Sequence, residues 1–158
     1  MNLDSDMSLA TEKRKFAELG IDQDRLSEYQ ILCLPQNIFS FAKPDDLYDA
    51  DETRNLAKLL KAASLRSATA LDLGKDIPIL HMRSSEIWLG VLWILDNAAL
   101  PLIIQVIGPL ISAKLGAMTQ PEPKVHADIY VENGPKTTKL SFSGDGETLV
   151  RVLKSLDP

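Results

Sequence analysis

At 158 residues, with 45% apolar and 25% charged side chains, the chain suits one domain that can bury a real core. Its net charge of −5 argues against general nucleic-acid binding and against docking on anionic lipid, since both concentrate Lys and Arg to meet phosphates. Cys33 is the single cysteine, which excludes an intrachain disulfide. The acidic start MNLDSDMSLATEKRKF carries no apolar signal core, so a reducing, cytoplasmic location is expected.

Residues 8–19 read as a short helix, with Ser8 as N-cap, Leu9, Phe16 and Leu19 as apolar contacts and Gly20 as its stop. Residues 29–34 read as a short strand or buried segment ended by Pro35, with Cys33 an inert buried thiol. The stretch QNIFSFAKPDDLYDADE has aromatics without a period and reads as loop. Residues 53–64 form a better helix, with Leu56, Leu59, Leu60 and Ala63 on one face and Asp51 or Asp49 as cap. Two short strand candidates follow, 68–73 and 77–82, around Gly74-Lys75-Asp76.

Residues 87–113, IWLGVLWILDNAALPLIIQVIGPLISA, contain one Asp and no Lys or Arg. A spanning helix needs roughly 20 apolar residues, so a membrane segment has to be weighed. An Asp near the bilayer centre costs about 2.5–3.5 kcal/mol, and each Leu or Ile returns only about 0.3–0.6. Divided at Asp96-Asn97, the stretch instead reads as two helices, 84–95 and about 98–115. Asn97 caps the second, Pro101 sits in its first turn, Pro109 bends it and Gly116 ends it. AMTQPEPK reads as a linker.

The C-terminal part alternates. Val125, Ala127, Ile129 and Val131 interleave with His126, Asp128, Tyr130 and Glu132, the period of a half-buried strand. Asn133-Gly134 signals a turn, and Thr138, Leu140 and Phe142 continue on a second strand. Residues 147–156 form a helix with Leu149, Val150, Leu153 and Leu156 inward. The expected fold is therefore α+β, with a helical core, short N-terminal strands and a C-terminal β-hairpin followed by a helix. The expected organisation is an N-terminal α/β portion (1–83), an apolar helical segment broken at 96–97 (84–117), a linker (118–124) and a ββα module (125–156). Alone, that module buries too little to be stable, so it should pack on the preceding helices or on a partner.

Signals for chemistry are thin. His81 lies in an apolar strand candidate and His126 on the exposed side of the C-terminal strand, without the spacing of a zinc site. Asp45, Asp46, Asp49, Asp51 and Glu52 lack the offsets of a calcium loop and read as a solvated helix start. Ser143-Gly144-Asp145-Gly146 reads as a strand-to-helix turn, since Asp145 would repel phosphate. No nucleophile elbow such as GxSxG accompanies the serines. Sequence reading assigns no catalytic residue, no cofactor and no metal. Trp88 and Trp93 would lie about 140° apart on a helix, which suggests packing on two sides or an aromatic anchor. With Phe39, Phe41, Tyr48 and Tyr130 they make the candidate interaction surface.

Residues 84–156, from EIWLGVLWILDNAALPLIIQVIGPLISAKLG through KVHADIYVENGPKTTKLSFSGDGETLVRVLKSL, resemble a group of small bacterial proteins of no settled activity. In these a Trp-containing segment and an apolar helix precede a β-hairpin and a final helix. Some of them are encoded beside anti-phage defence or mobile-element genes. The resemblance implies a context and no catalytic residue. The function expected is a non-enzymatic protein-interaction or regulatory protein, an accessory of a bacterial defence or toxin–antitoxin-like system. Its partner would be another protein or a second copy of the chain. Two further readings stand beside it: a membrane-acting effector that inserts 87–113, and an enzyme whose site is assembled across the fold.

Overall fold

A computed structural model describes residues 2–4, 23–80, 86–117 and 123–156. The helix expected over 8–19, the residue His81, the first two residues of the helix expected over 84–95 and most of the linker lie outside the described residues. The architecture is mixed α+β. In chain order it comprises β1 (Asn2–Asp4), the short α1 (Gln23–Leu26), β2 (Ile31–Leu34), α2 (Thr53–Ala62) and β3 (Ser67–Thr69). There follow β4 (Ile87–Ile94), α3 (Leu100–Ala117), β5 (Val125–Asn133), β6 (Lys136–Gly144) and α4 (Gly146–Leu156).

The six strands among the described residues form one sheet, ordered β1-β6-β5-β4-β2-β3. The hairpin β5–β6 pairs from Val125↔Gly144 to Asn133↔Lys136 around Gly134-Pro135. β4 lies parallel to β5, and β2 runs antiparallel to β4. The C-terminal hairpin is thus continuous with strands from the first half of the chain.

The first arm of the apolar stretch is a strand, not a helix. Ile87, Leu89, Leu92 and Ile94 enter the core under the helices, while Val91 and Trp93 enter a smaller cluster on the opposite face. A central strand buried on both faces reads as a continuous apolar run, and only alternation would have distinguished it from a buried helix segment. A parallel pair also needs a crossover between its strands, and α3 supplies it between β4 and β5. The junction at Asp96-Asn97 is accordingly strand-to-helix. Asp96, rather than Asn97, is the cap: its carboxylate accepts from the Ala98 N–H at 3.0 Å, ahead of a 3-10 turn over Asn97–Ala99. No helical hairpin forms the core.

The three longer helices cover one face of the sheet. From α3, Leu100, Ile103, Ile107, Leu110 and Ile111 are buried there. At about 1.5–3 kcal/mol each, this stripe stabilises the helix on the sheet by roughly 10 kcal/mol as an upper estimate. Leu56, Ala57 and Leu60 of α2 and Leu149 and Leu153 of α4 complete the layer. The expected cap of α2 differs too. Glu52 holds the N-cap position without a side-chain cap bond, and Asp49 is buried elsewhere.

Among the described residues, no long helix lies on the opposite face. Residues 36–48 and 70–80 fold over its β2–β3–β4 end, contributing Ile38, Phe41, Leu47, Leu73 and Ile77. Of the two strand candidates there, the first is a strand only over Ser67–Thr69. Of the second, the described residues 77–80 form an isolated bridge between Asp49 and Ile79.

Candidate functional site

The row of side chains crossing the face opposite α2, α3 and α4 is set by strand register. Trp88 on β4 stands beside His126 on β5, and His126 stands opposite Ser143 on β6. Directly opposite residues on a sheet lie close enough to interact. The Trp88 and His126 rings stack, with centroids 3.9 Å and planes 16° apart. His126 Nε2 lies 2.5 Å from Oε2 of Glu86, and its Nδ1 lies 3.0 Å from Oγ of Ser143. An ionised carboxylate only accepts, so in the neutral imidazole Glu86 fixes the proton on Nε2 and leaves Nδ1 as the acceptor for the Ser143 hydroxyl. The result is an ordered hydroxyl–imidazole–carboxylate chain. It borders a shallow depression of about 290 Å³ to which Gln36, Asp128 and Ser141 also contribute.

Both tryptophans reach this face because β4 has a register shift between Trp88 and Gly90. Five residues apart, they would point to opposite sides of a regular strand. Beyond the shift, Trp93 stacks on Tyr130 (4.8 Å, 12°) and donates its indole N–H to Oε1 of Glu132 at 3.1 Å. Phe39 meets Trp93 and Tyr130 edge-on at 5.9 and 5.2 Å, and Lys139 lies over the Tyr130 ring at 5.5 Å. The structure therefore gathers Phe39, Phe41, Trp93 and Tyr130 into one cluster. Trp88 sits further along the same face, and Tyr48 is in the loop beside Gln36, whose N–H bonds to the Tyr48 carbonyl. Trp93 and Tyr130 are buried at 1% and 2% exposure, so they present no surface to a partner in this arrangement.

No protein-family model, curated protein or solved structure matches the chain. What the protein does has to be argued from its own geometry. Among the described residues no group of three or more His, Cys, Asp or Glu is placed to hold a metal ion.

Beneath the loops, Asp49 is fully buried and accepts from Nε of Arg54 at 3.1 Å, while Arg54 also donates to the carbonyl of Ile77. Burial pushes the Asp49 carboxyl above its ordinary value, and the Arg54 guanidinium opposes that rise. Cys33 is buried on the helical face of β2. Its thiol is pushed up to about 12, first by burial and then by the negative charge of Asp49. The thiol stays protonated and inert.

The third feature lies on the other side of the sheet. Between α2 and α3 runs a groove of about 610 Å³, lined by Leu59, Gln105, Val106, Pro109 and Ala113, with Lys114 at one end. Lys114 is held at 2.8 Å by Glu52. Leu59 and Leu102 are 39% and 46% exposed beside it. From Leu100 to Ala113 the helix carries no charged residue.

Sequence reasoning placed His126 on the exposed side of its strand but missed the Glu86–His126–Ser143 chain. Half of it was in reach. A turn at Gly134-Pro135 pairs Asn133 with Lys136, and counting back along both strands sets His126 against Ser143. Glu86 and Trp88 were out of reach, because they arrive on a strand that pairs through a distant crossover.

Proposed function

We propose that this chain is a protein-interaction or regulatory protein whose partner surface is the uncharged outer face of α3 together with α2. One observation carries the reading. α3 is apolar around most of its circumference, yet only 39% of its most apolar window is buried. Apolar surface left contiguous on a soluble domain marks a place that something else covers.

A second copy of the chain is the occupant that fits. With no charge from Leu100 to Ala113, two α3 faces can approach about a twofold axis without opposing like charges. The helix is about 27 Å long and 10 Å wide, which offers roughly 300 Å². A standard interface buries about 800 Å² per partner. α3 alone is therefore too small, and the outer face of α2, with Asn55 and Leu59, has to join it. The sheet on which α2 and α3 pack is the scaffold that presents this face.

Sedimentation equilibrium of the full chain tests the proposal. A monomer–dimer equilibrium in the micromolar range is expected. The double variant Leu59→Glu, Leu102→Glu should sediment as a monomer with an unchanged circular dichroism spectrum. A wild-type chain that stays monomeric at about 1 mM contradicts self-association.

Membrane insertion of the same helix is the second reading, because α3 with its preceding turn is long and apolar enough to cross a bilayer. Insertion would withdraw Leu100, Ile103 and Ile107 from the core and uncover Leu89, Leu92 and Ile129 of the sheet. It therefore requires the domain to open. Flotation of the chain with lipid vesicles separates the two readings.

A further inference from the structure

We propose that Ser143 is a nucleophile toward small neutral acyl esters, activated by His126 and oriented through Glu86, on the face of the sheet opposite α2, α3 and α4. The inference does not rest on the docking reading, which concerns the opposite face.

Four features of the site support it. The nucleophile–base distance, 3.0 Å from Ser143 Oγ to His126 Nδ1, and the base–carboxylate distance, 2.5 Å from Nε2 to Glu86, are both within hydrogen-bond reach. The tautomer is the required one, because a carboxylate facing Nε2 leaves Nδ1 free to take the serine proton. Trp88, stacked on the imidazole at 3.9 Å, holds the ring plane in line with both partners. Ser143 is exposed, so an acyl group can reach Oγ.

The reaction balances with water as the only co-reactant. Oγ bonds to the acyl carbon as its proton passes to Nδ1, and Glu86 stabilises the resulting imidazolium. Collapse breaks the bond from the acyl carbon to the leaving oxygen, which departs with the proton from Nδ1. Water then attacks the acyl-serine by the same transfers, releasing the acid and restoring Ser143. The depression of about 290 Å³ beside the serine has room for a small acyl group. Gln36 lines it too, and its carboxamide N–H2 is the neutral side-chain donor available to an oxyanion there. Asp128 lines it as well and repels anionic substrates. One side-chain donor is worth about 10²–10³ in rate, so turnover should be slow.

The test uses the full chain with p-nitrophenyl acetate. Release of p-nitrophenolate is expected, with acetyl found on the peptide containing Ser143. Ser143→Ala should lower the rate about a hundredfold or more, and His126→Gln should do the same. Ser143→Cys should restore acylation. Denaturation curves for Ser143→Ala matching wild type establish that the fold is retained. Equal rates for wild type and Ser143→Ala would overturn the proposal, and so would acetyl found only on lysines.

Discussion

Gly90 of β4 lies directly against Thr53 at the start of α2. Its φ is +81°, and a Cβ built there would stand 2.7 Å from Thr53 Oγ1 and 3.1 Å from the Leu34 carbonyl oxygen. Both neighbours are fixed, one by a buried helix start and the other by a central strand. Glycine is therefore required at the register shift that turns both tryptophans to one face. Gly90→Ala should cost about 2 kcal/mol or more, lowering Tm by roughly 4–8 °C. Gly74, at φ +93° with nothing within 4 Å, carries the backbone strain alone, so Gly74→Ala should cost about half as much. Thermal melts of the two variants check this, and equal shifts would argue against the close approach.

The buried Asp49 makes stability pH-dependent in a defined direction. Its folded-state value is raised above the usual 3.8. Its contribution is thus fully present below the unfolded value and is lost as pH rises through the folded one. Asp49→Asn has no such loss. Urea unfolding between about pH 3.5 and pH 7 should therefore show the variant gaining on wild type as pH rises. Parallel curves, or the opposite slope, would count against burial outweighing the Arg54 pairing at Asp49.

Cys33 should report unfolding. With its thiol fully buried and pushed up to about 12, it is expected to react with a disulfide reagent at neutral pH only when the chain opens. An opening free energy near 5 kcal/mol makes the native rate more than about a thousandfold slower than that in denaturant. Comparable rates in the two conditions would place the thiol at the surface.

Local patterns carried the elements that are half-buried. The alternation from Val125 to Val131 has one wet face and one dry face, and the spacing of Leu56 and Leu60 has one helical stripe; both are properties of neighbouring residues. The segment Ile87–Ile94 had no such contrast, because its environment comes from α3 above and the 36–48 loop below. Its eight residues give a strand only once β2 and β5 flank it. The candidate site divides the same way. His126 and Ser143 belong to one hairpin, whereas Glu86 and Trp88 join them through a parallel pairing whose register no local signal encodes. Trp88 and Trp93 were read on helix geometry, and the bulge at Gly90 reversed the conclusion.

Residue-resolved self-association measures the partner surface most directly. Amide spectra of the full chain should be recorded from about 10 μM to about 1 mM. The account predicts concentration-dependent shifts confined to residues 55–59 of α2 and 102–113 of α3, abolished in Leu59→Glu, Leu102→Glu. Spectra that do not change with concentration, or shifts centred on the β5–β6 face, would contradict it.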